Sequence, residues 1–137
     1  MPKVEKTIDI AASQEKIFEI AANDDDYARW NIVVNEVTKL GEGHYFFKTN
    51  VGDVISKRLE TVPPERISAT QEGSPMKSIG YILKPKGDKV ETTIWSEFDD
   101  PNQEPILGIA AEMLLKSLKK YAEFLESDGN PDEFSKK

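Results

Sequence analysis

The chain opens with two different hydrophobic periods that predict one strand and one helix. Apolar and polar side chains alternate over residues 4–10, which is typical of a half-buried strand. Apolar side chains then recur at helical spacing over residues 14–22, with Ser13 placed to accept the N-cap hydrogen bond. A second short helix is expected over residues 27–30, and the acidic triplet 24–26 before it is interpreted as its cap.

The middle of the chain, from residue 32 to residue 98, consists almost entirely of strand patterns. Its segments are rich in β-branched and aromatic residues, and glycine and proline separate them. Strands joined by such short turns imply an antiparallel meander. The predicted strands are 32–40, 44–50, 53–62, 66–71, 76–84 and 89–98.

The last long pattern predicts a helix from about residue 104 to residue 126 with one wide apolar face. Charged residues occupy the opposite face. We expect residues 1–126 to form one domain and residues 127–137 to form a flexible tail. The inward face of the helix carries Ile106, Ile109, Ala110, Met113, Leu114, Ser117, Leu118, Tyr121, Phe124 and Leu125.

This order of elements predicts an α+β fold. We expect a curved antiparallel sheet of about seven strands around the long C-terminal helix, with two short helices after the first strand. The sheet must bury its apolar face, and only the helix 104–126 is long enough to cover it. A curved sheet and a single helix enclose more volume than the helix fills. The pattern therefore predicts a largely apolar cavity between them.

Four segments carry a family resemblance: 4–18 (VEKTIDIAASQEKIF), 25–31 (DDYARWN), 87–95 (GDKVETTIW) and 114–125 (LLKSLKKYAEFL). They resemble the START-like, or SRPBCC, superfamily, and within it the bacterial polyketide cyclase/dehydrase-like branch. The resemblance covers about residues 3–126 and implies the helix-grip fold with a cavity between the sheet and the C-terminal helix. Members bind lipids, sterols, polyketides, plant hormones or quinones, and act as cyclases, aromatases, carriers, receptors or chaperone cofactors.

Strand registers decide which side chains face the predicted cavity. In the hairpin around residues 85–88, a four-residue loop would pair Leu83 with Val90 and Tyr81 with Thr92, and this register is preferred because its inward face is apolar. A three-residue loop would send Tyr81 outward. The predicted cavity residues are Trp30, Phe47, Ile55, Ile67, Tyr81, Thr92, Ile94, Ser96, Phe98, Met113, Leu114 and Ser117. Trp30 is either a wall of the cavity entrance or a packing anchor, and the second interpretation is favoured.

The turn at residues 50–52 is expected to be a three-residue loop that places Phe47 and Ile55 on the concave face. Arg58 then lies on the opposite face. The alternative register brings Arg58 inward beside Tyr45, where its guanidinium would be a candidate anchor for a ligand carboxylate. The solvent-facing position of Arg58 is the favoured interpretation.

The residue types exclude several kinds of chemistry. The chain has no cysteine, one histidine and a net charge of −7, so thiolate chemistry and Cys-ligated zinc are excluded and nucleic-acid binding is disfavoured. His44 is expected at an exposed strand start, without the partners that catalysis by histidine needs. No catalytic residue, metal site or cofactor is predicted. No membrane span or signal peptide is predicted either, and the expected location is the cytoplasm.

Three functional hypotheses follow from the pattern and the resemblance. The leading one is a protein that binds or carries a small apolar molecule of the lipid, sterol, polyketide or aromatic type. The second is a cyclase- or aromatase-like enzyme that uses Tyr81, Ser96 or Arg58 inside the cavity. The third is a protein-interaction module, as in chaperone cofactors, with Trp95 and Phe46 on the outer face; Trp95 would also serve a homodimer contact.

Overall fold

The computed structural model of the protein describes residues 2–50 and 52–136. The strands are β1 (Lys3–Ile10), β2 (Val34–Gly41), β3 (His44–Thr49), β4 (Gly52–Val62), β5 (Arg66–Glu72), β6 (Met76–Lys86) and β7 (Lys89–Phe98). The helices are α1 (Gln14–Ala22), α2 (Tyr27–Trp30) and α3 (Glu104–Glu126). Within these residues the strands form one antiparallel sheet in the order β1-β7-β6-β5-β4-β3-β2. The predicted α+β helix-grip architecture and the bounds of α1 and α3 are confirmed.

The long helix lies against one face of the sheet, called here the inner face, at the side formed by the edge strand β1 and its neighbour β7. β1 joins the sheet beside β7, and α3 returns over both strands after a short turn. Ile94 of β7 and Leu118 of α3 have no exposed surface. Leu115 and Ile10 are also in this core, because the apolar stripe of α3 and the alternating inner residues of β1 and β7 meet there.

The C-terminal half of α3 is fixed to the start of α1. The backbone N–H of Ala11 donates a hydrogen bond to Glu123 Oε2 at 2.8 Å, and that of Ser13 donates to Glu126 Oε1 at 3.1 Å. Burial alone would raise the pKa of Glu123, but the Ala11 hydrogen bond and the Lys119 ammonium lower that pKa below its ordinary value. The cavity described below borders the N-terminal half of α3.

The hairpin between β6 and β7 has the predicted inner face but a different register. Leu83 pairs with Thr92, Tyr81 pairs with Ile94, and only Gly87 and Asp88 form the turn. The predicted loop was two residues too long because Pro85 continues β6. Proline has no N–H to donate to a neighbouring strand. At Pro85 this costs no hydrogen bond, because the pairing of β6 with β5 already ends at Ile82. A shift of two residues preserves the face, and Tyr81 points inward as expected.

The register of β3 and β4 is a correction to the sequence prediction. Thr49 pairs with Gly52, and Phe47 pairs with Val54, so Val54 lies on the inner face. Ile55 pairs with Phe46 on the outer face, because a shift of one residue moves every side chain to the other side. Val51, in the predicted loop, lies outside the described residues. Arg58 consequently faces inward, in the register that the sequence disfavoured.

The residues after α3 contact the body of the domain. The ring of Phe134 lies 4.7 Å from that of Tyr121 and 5.2 Å from that of Phe124, measured between centroids. The ammonium of Lys136 donates hydrogen bonds to the carbonyl oxygens of Ala28, Asn31 and Val34. These contacts attach residues 134–136 to α2 and α3, in contrast to the free tail that the sequence pattern predicts; the flexibility of the segment stays a prediction.

Candidate ligand cavity

A cavity of about 300 Å³ lies between the inner face of the sheet and the first half of α3. Its apolar walls include Phe47 and Val54 from the β3–β4 hairpin, Ile67 from β5, and Leu114 from α3. All four side chains are buried. The predicted apolar space between the sheet and the C-terminal helix is therefore present.

Small residues keep this space open. Ala69 of β5 and Ala110 of α3 both line the cavity, and neither side chain reaches far across it. At the other half of α3 the helix presents Leu115 and Leu118, which fill the interior and belong to the main core. The cavity therefore lies where the helix surface is small, as volume complementarity requires.

The structure divides the predicted cavity residues into three groups. Five of them line the cavity: Phe47, Ile67, Tyr81, Met113 and Leu114. Six are buried elsewhere in the interior: Trp30, Thr92, Ile94, Ser96, Phe98 and Ser117. Ile55 lies on the outer face, for the register reason given above. Four of the second group, Thr92, Ile94, Ser96 and Phe98, lie on β7, where α3 packs directly on the strand. Ligand contact by the first group stays a prediction.

Trp30 is a packing residue and not a wall of the cavity entrance. Its side chain is fully buried. Its ring stacks on Tyr121 with centroids 6.4 Å apart and meets the ring of Tyr27 edge-on at 5.3 Å. This arrangement of aromatic rings attaches α2 to α3.

One end of the cavity carries an ion pair between Arg58 and Asp24, and both residues line the cavity. Arg58 Nη2 donates to Asp24 Oδ2 at 3.0 Å and to the carbonyl oxygen of Ala22 at 3.1 Å. Arg58 Nη1 donates to Thr61 Oγ1 at 3.3 Å. The guanidinium thus already has protein partners, so its charge is largely compensated before any ligand enters.

Electrostatics at this end keep the phenols protonated. Burial raises the pKa of Tyr81 well above its ordinary value, and the negative charge of Asp24 adds to the shift. Burial and Asp24 also raise the pKa of Tyr27. Burial raises the pKa of Asp24 itself, with Arg58 opposing the shift. At neutral pH the phenols of Tyr27 and Tyr81 are therefore hydrogen-bond donors.

The acidic triplet before α2 does not cap that helix through its side chains, contrary to the sequence interpretation. Asp24–Asp26 form a 3₁₀ turn, and α2 has no side-chain cap bond. Asp24 pairs with Arg58, as described above. Asp25 accepts a hydrogen bond from the hydroxyl of Tyr45 at 3.3 Å, and Asp26 pairs with Arg29 at 2.9 Å. Each carboxylate therefore bonds to a side chain beyond the triplet, and two of these partners lie on distant strands.

The opposite part of the cavity is bordered by exposed apolar side chains of α3. Ile106, Ile109 and Met113 line the cavity, yet they are 60%, 61% and 41% exposed. Their spacing places them on one stripe of the helix. The cavity thus reaches the surface along the first half of α3. The apolar spacing predicts this stripe as part of the inward face of the helix and gives no signal that part of it is exposed.

The remaining candidates lie away from the cavity. His44 pairs with Lys57 at the start of β3 and does not line the cavity. Trp95, on the outer face, lies over Gly80, where a Cβ atom would come within 2.5 Å of the indole ring. The ammonium of Lys3 is 5.5 Å from the centroid of that ring. Trp95 is therefore partly covered by its own sheet.

The sequence matches the family model described as "Polyketide cyclase / dehydrase and lipid transport" over residues 1–127. The chain belongs to this family. The family description joins polyketide chemistry with lipid transport, so it supports a ligand-binding role in general terms. Among proteins with curated descriptions, none matched the sequence.

Solved structures share the fold of this family member at low sequence identity. A START superfamily protein from Mycobacterium smegmatis aligns with a TM-score of 0.74 and 20% identity, covering 90% of this chain and 98% of that one. The Aha1 dimer from Colwellia psychrerythraea aligns with a TM-score of 0.70 and 19% identity, covering 92% and 97%. Protein CV1439 from Chromobacterium violaceum aligns with a TM-score of 0.72 and 18% identity, covering 88% and 97%. These likenesses support the START-like helix-grip fold.

None of the helices in residues 2–50 and 52–136 combines the length and the apolar run that a membrane crossing requires. In the same residues, no three His, Asp or Glu side chains converge closely enough to hold a metal ion.

Proposed function

We propose that the protein binds or carries a small apolar molecule, of the lipid, sterol, polyketide or aromatic type, in the cavity between the sheet and α3. The observation that supports this proposal is the cavity of about 300 Å³ with largely apolar walls. This volume is at the lower end of the range typical of small-molecule sites. A compact ligand is therefore a better match than a long diacyl lipid.

The distribution of polar groups also supports a binding function. Phe47, Val54, Ile67 and Leu114 surround most of the space with apolar surface, so a ligand gains affinity chiefly by leaving water. Charged groups are concentrated at one end, where Arg58 and Asp24 neutralise each other. The exposed stripe of α3 borders the other end and gives the ligand a route from the surface.

A cavity-filling variant tests the proposal. We expect Ala69→Phe to weaken binding of the neutral dye N-phenyl-1-naphthylamine at least about tenfold, because the new ring occupies the ligand space. Binding is measured from the increase in dye fluorescence during titration. Thr70→Phe is the matched control: Thr70 is the next residue of β5, is exposed, and faces away from the cavity. Its affinity for the dye should equal that of the wild type.

Two results would contradict the proposal. Failure of the wild-type protein to bind the dye, or any other apolar probe of this size, would remove its basis. Equal weakening by Ala69→Phe and Thr70→Phe would show that the dye binds elsewhere. Urea unfolding of both variants verifies that a loss of binding does not arise from unfolding.

An enzyme of the cyclase or aromatase kind is the second candidate, and one observation favours it. Tyr81 and Arg58 both line the cavity together with Asp24, so a donor, a cation and a carboxylate converge on one space. Ser96, the third residue of that hypothesis, is buried outside the cavity. Turnover of a poly-β-carbonyl substrate by the wild type, and its loss in Tyr81→Phe, would support this candidate over a carrier.

We also propose a homodimer. The Colwellia neighbour is described as a dimer, and this chain exposes Ile106, Ile109 and Met113 on one helix stripe. Sedimentation equilibrium of the wild type decides the oligomeric state. The cytoplasmic location stays a prediction.

A further inference from the structure

Tyr81 differs from the other tyrosines of the chain in the hydrogen bonding of its hydroxyl group. The hydroxyl of Tyr27 donates to the carbonyl oxygen of Ala21, that of Tyr45 donates to Asp25, and that of Tyr121 donates to Asp26. The hydroxyl of Tyr81 has no hydrogen-bond partner in the part of the chain that the structure describes. Buried phenols are normally bonded, so this exception requires an explanation.

The position of Tyr81 provides that explanation. The residue is only 6% exposed, and its side chain lines the cavity. Asp24 and Arg58 line the same cavity, and the negative charge of Asp24 adds to the raised pKa of the phenol. Arg58 is engaged there with Asp24, Ala22 and Thr61. Tyr81 is therefore a buried donor that faces the ligand space with nothing to donate to.

The charge at this end determines what kind of acceptor suits Tyr81. The 3₁₀ turn holds three consecutive carboxylates, of which Asp24 lines the cavity and Asp25 and Asp26 follow it in the chain. Arg58 pairs with Asp24 and Arg29 pairs with Asp26, whereas Asp25 bonds to the neutral hydroxyl of Tyr45 and has no ion pair among the described residues. An anionic ligand group would meet a negative potential without a free cation. A neutral oxygen accepts the Tyr81 hydrogen bond without that penalty.

The opposite end of the cavity determines the ligand's orientation. Ile106, Ile109 and Met113 border that end and offer no hydrogen-bonding group beyond a thioether. An apolar body placed there is removed from water, and the oxygen then points toward Tyr81. Arg58 and Asp24 are the charged lining residues, and the contrast between them and this apolar stripe matches a ligand with one polar end.

We infer that the cavity takes an apolar molecule carrying one neutral oxygen function, a hydroxyl, phenol or carbonyl, which accepts a hydrogen bond from Tyr81 at the ion-pair end. The apolar body of the ligand points toward Ile106 and Ile109. This inference rests on the proposed ligand-binding function and narrows its ligand class. Through this hydrogen bond, Tyr81 discriminates between oxygen-bearing molecules and hydrocarbons of the same size.

The test compares 2-naphthol with 2-methylnaphthalene as probes by isothermal titration calorimetry at pH 7. We expect Tyr81→Phe to weaken binding of 2-naphthol about three- to tenfold, the effect of one lost hydrogen bond, and to leave that of 2-methylnaphthalene unchanged within about twofold. Tyr45→Phe is the matched control, because Tyr45 is buried but does not line the cavity. It should leave the affinities for both probes unchanged. The wild type should bind 2-naphthoate at least about tenfold more weakly than 2-naphthol.

The outcomes separate this inference from the proposed function. If the wild type binds neither uncharged probe, the proposed function and the inference both fail. If it binds both but Tyr81→Phe changes their affinities equally, or if 2-naphthoate binds best, only the inference is overturned. The stability of Tyr81→Phe is an independent readout: the variant should unfold at the same or a higher urea concentration than the wild type, because the removed hydroxyl had no partner. A clear loss of stability would overturn the claim that this hydroxyl is unbonded.

Discussion

Replacing Arg58 with methionine is expected to lower the free energy of unfolding by about 3 kcal/mol. Asp24 is 7% exposed and would keep its charge in the interior without the guanidinium that compensates it. The measurement is urea denaturation at pH 7 with linear extrapolation. Burial raises the folded-state pKa of Asp24 above the unfolded value, so the destabilisation should diminish as the pH falls through that folded-state pKa and the carboxyl becomes neutral.

Two further variants make this prediction specific. The double variant Arg58→Met/Asp24→Asn removes both charges and should recover much of the lost stability. Arg66→Met is the matched control: Arg66 pairs with Glu60 at 2.7 Å, but both side chains are about half exposed, and little change is expected. Equal losses in Arg58→Met and Arg66→Met would contradict a buried ion pair at the end of the cavity.

Leu118→Ala is expected to destabilise the fold by about 3 kcal/mol, because the truncation leaves a hole in the interface between α3 and the sheet. Leu118 has no exposed surface and belongs to the main core. Thermal and urea unfolding measure the effect. Ile109→Ala, a truncation on the same helix at a position that is 61% exposed, is the control and should have little effect on unfolding. Equal effects of the two substitutions would show that the sheet does not hold α3.

Local patterns were sufficient to predict α1, α3 and the face of the last hairpin. The bounds of α1 follow from the Ser13 cap and apolar spacing, and those of α3 follow from apolar spacing; both are local signals. The inner face of β7 follows from strict alternation between Val90 and Phe98. Such patterns need no information about distant parts of the chain.

The register of β4 could not be predicted, because Val54 and Ile55 are adjacent and both apolar. Either one could face inward, and the length of the preceding turn decides between them. The ion pair at the end of the cavity depends on that register. Asp24 and Arg58 are far apart in the sequence, and no local spacing indicates their contact. The alternative register, which brings Arg58 inward beside Tyr45, is the one signal in the sequence for this position.

The sequence also could not predict which inner residues of the sheet belong to the core and which line the cavity. The residues of β7 and the walls of the cavity share the same alternation, yet α3 covers Ile94 and Phe98 and leaves Ile67 and Tyr81 facing the cavity. Only the position of the helix axis across the sheet distinguishes these cases. This position also makes the first half of α3 the wall through which the cavity reaches solvent.

The central claim is that an apolar molecule binds between the inner face of the sheet and the first half of α3. Methyl-resolved NMR during titration with N-phenyl-1-naphthylamine tests it most directly, because isoleucines lie on both faces of the sheet. We predict that the methyl signals of Ile67, Ile79 and Ile106 shift with the added dye, whereas those of Ile55 and Ile82, which lie outside the cavity, stay in place. Saturating shifts at Ile55 and Ile82, with Ile67 and Ile79 unmoved, would contradict the claim.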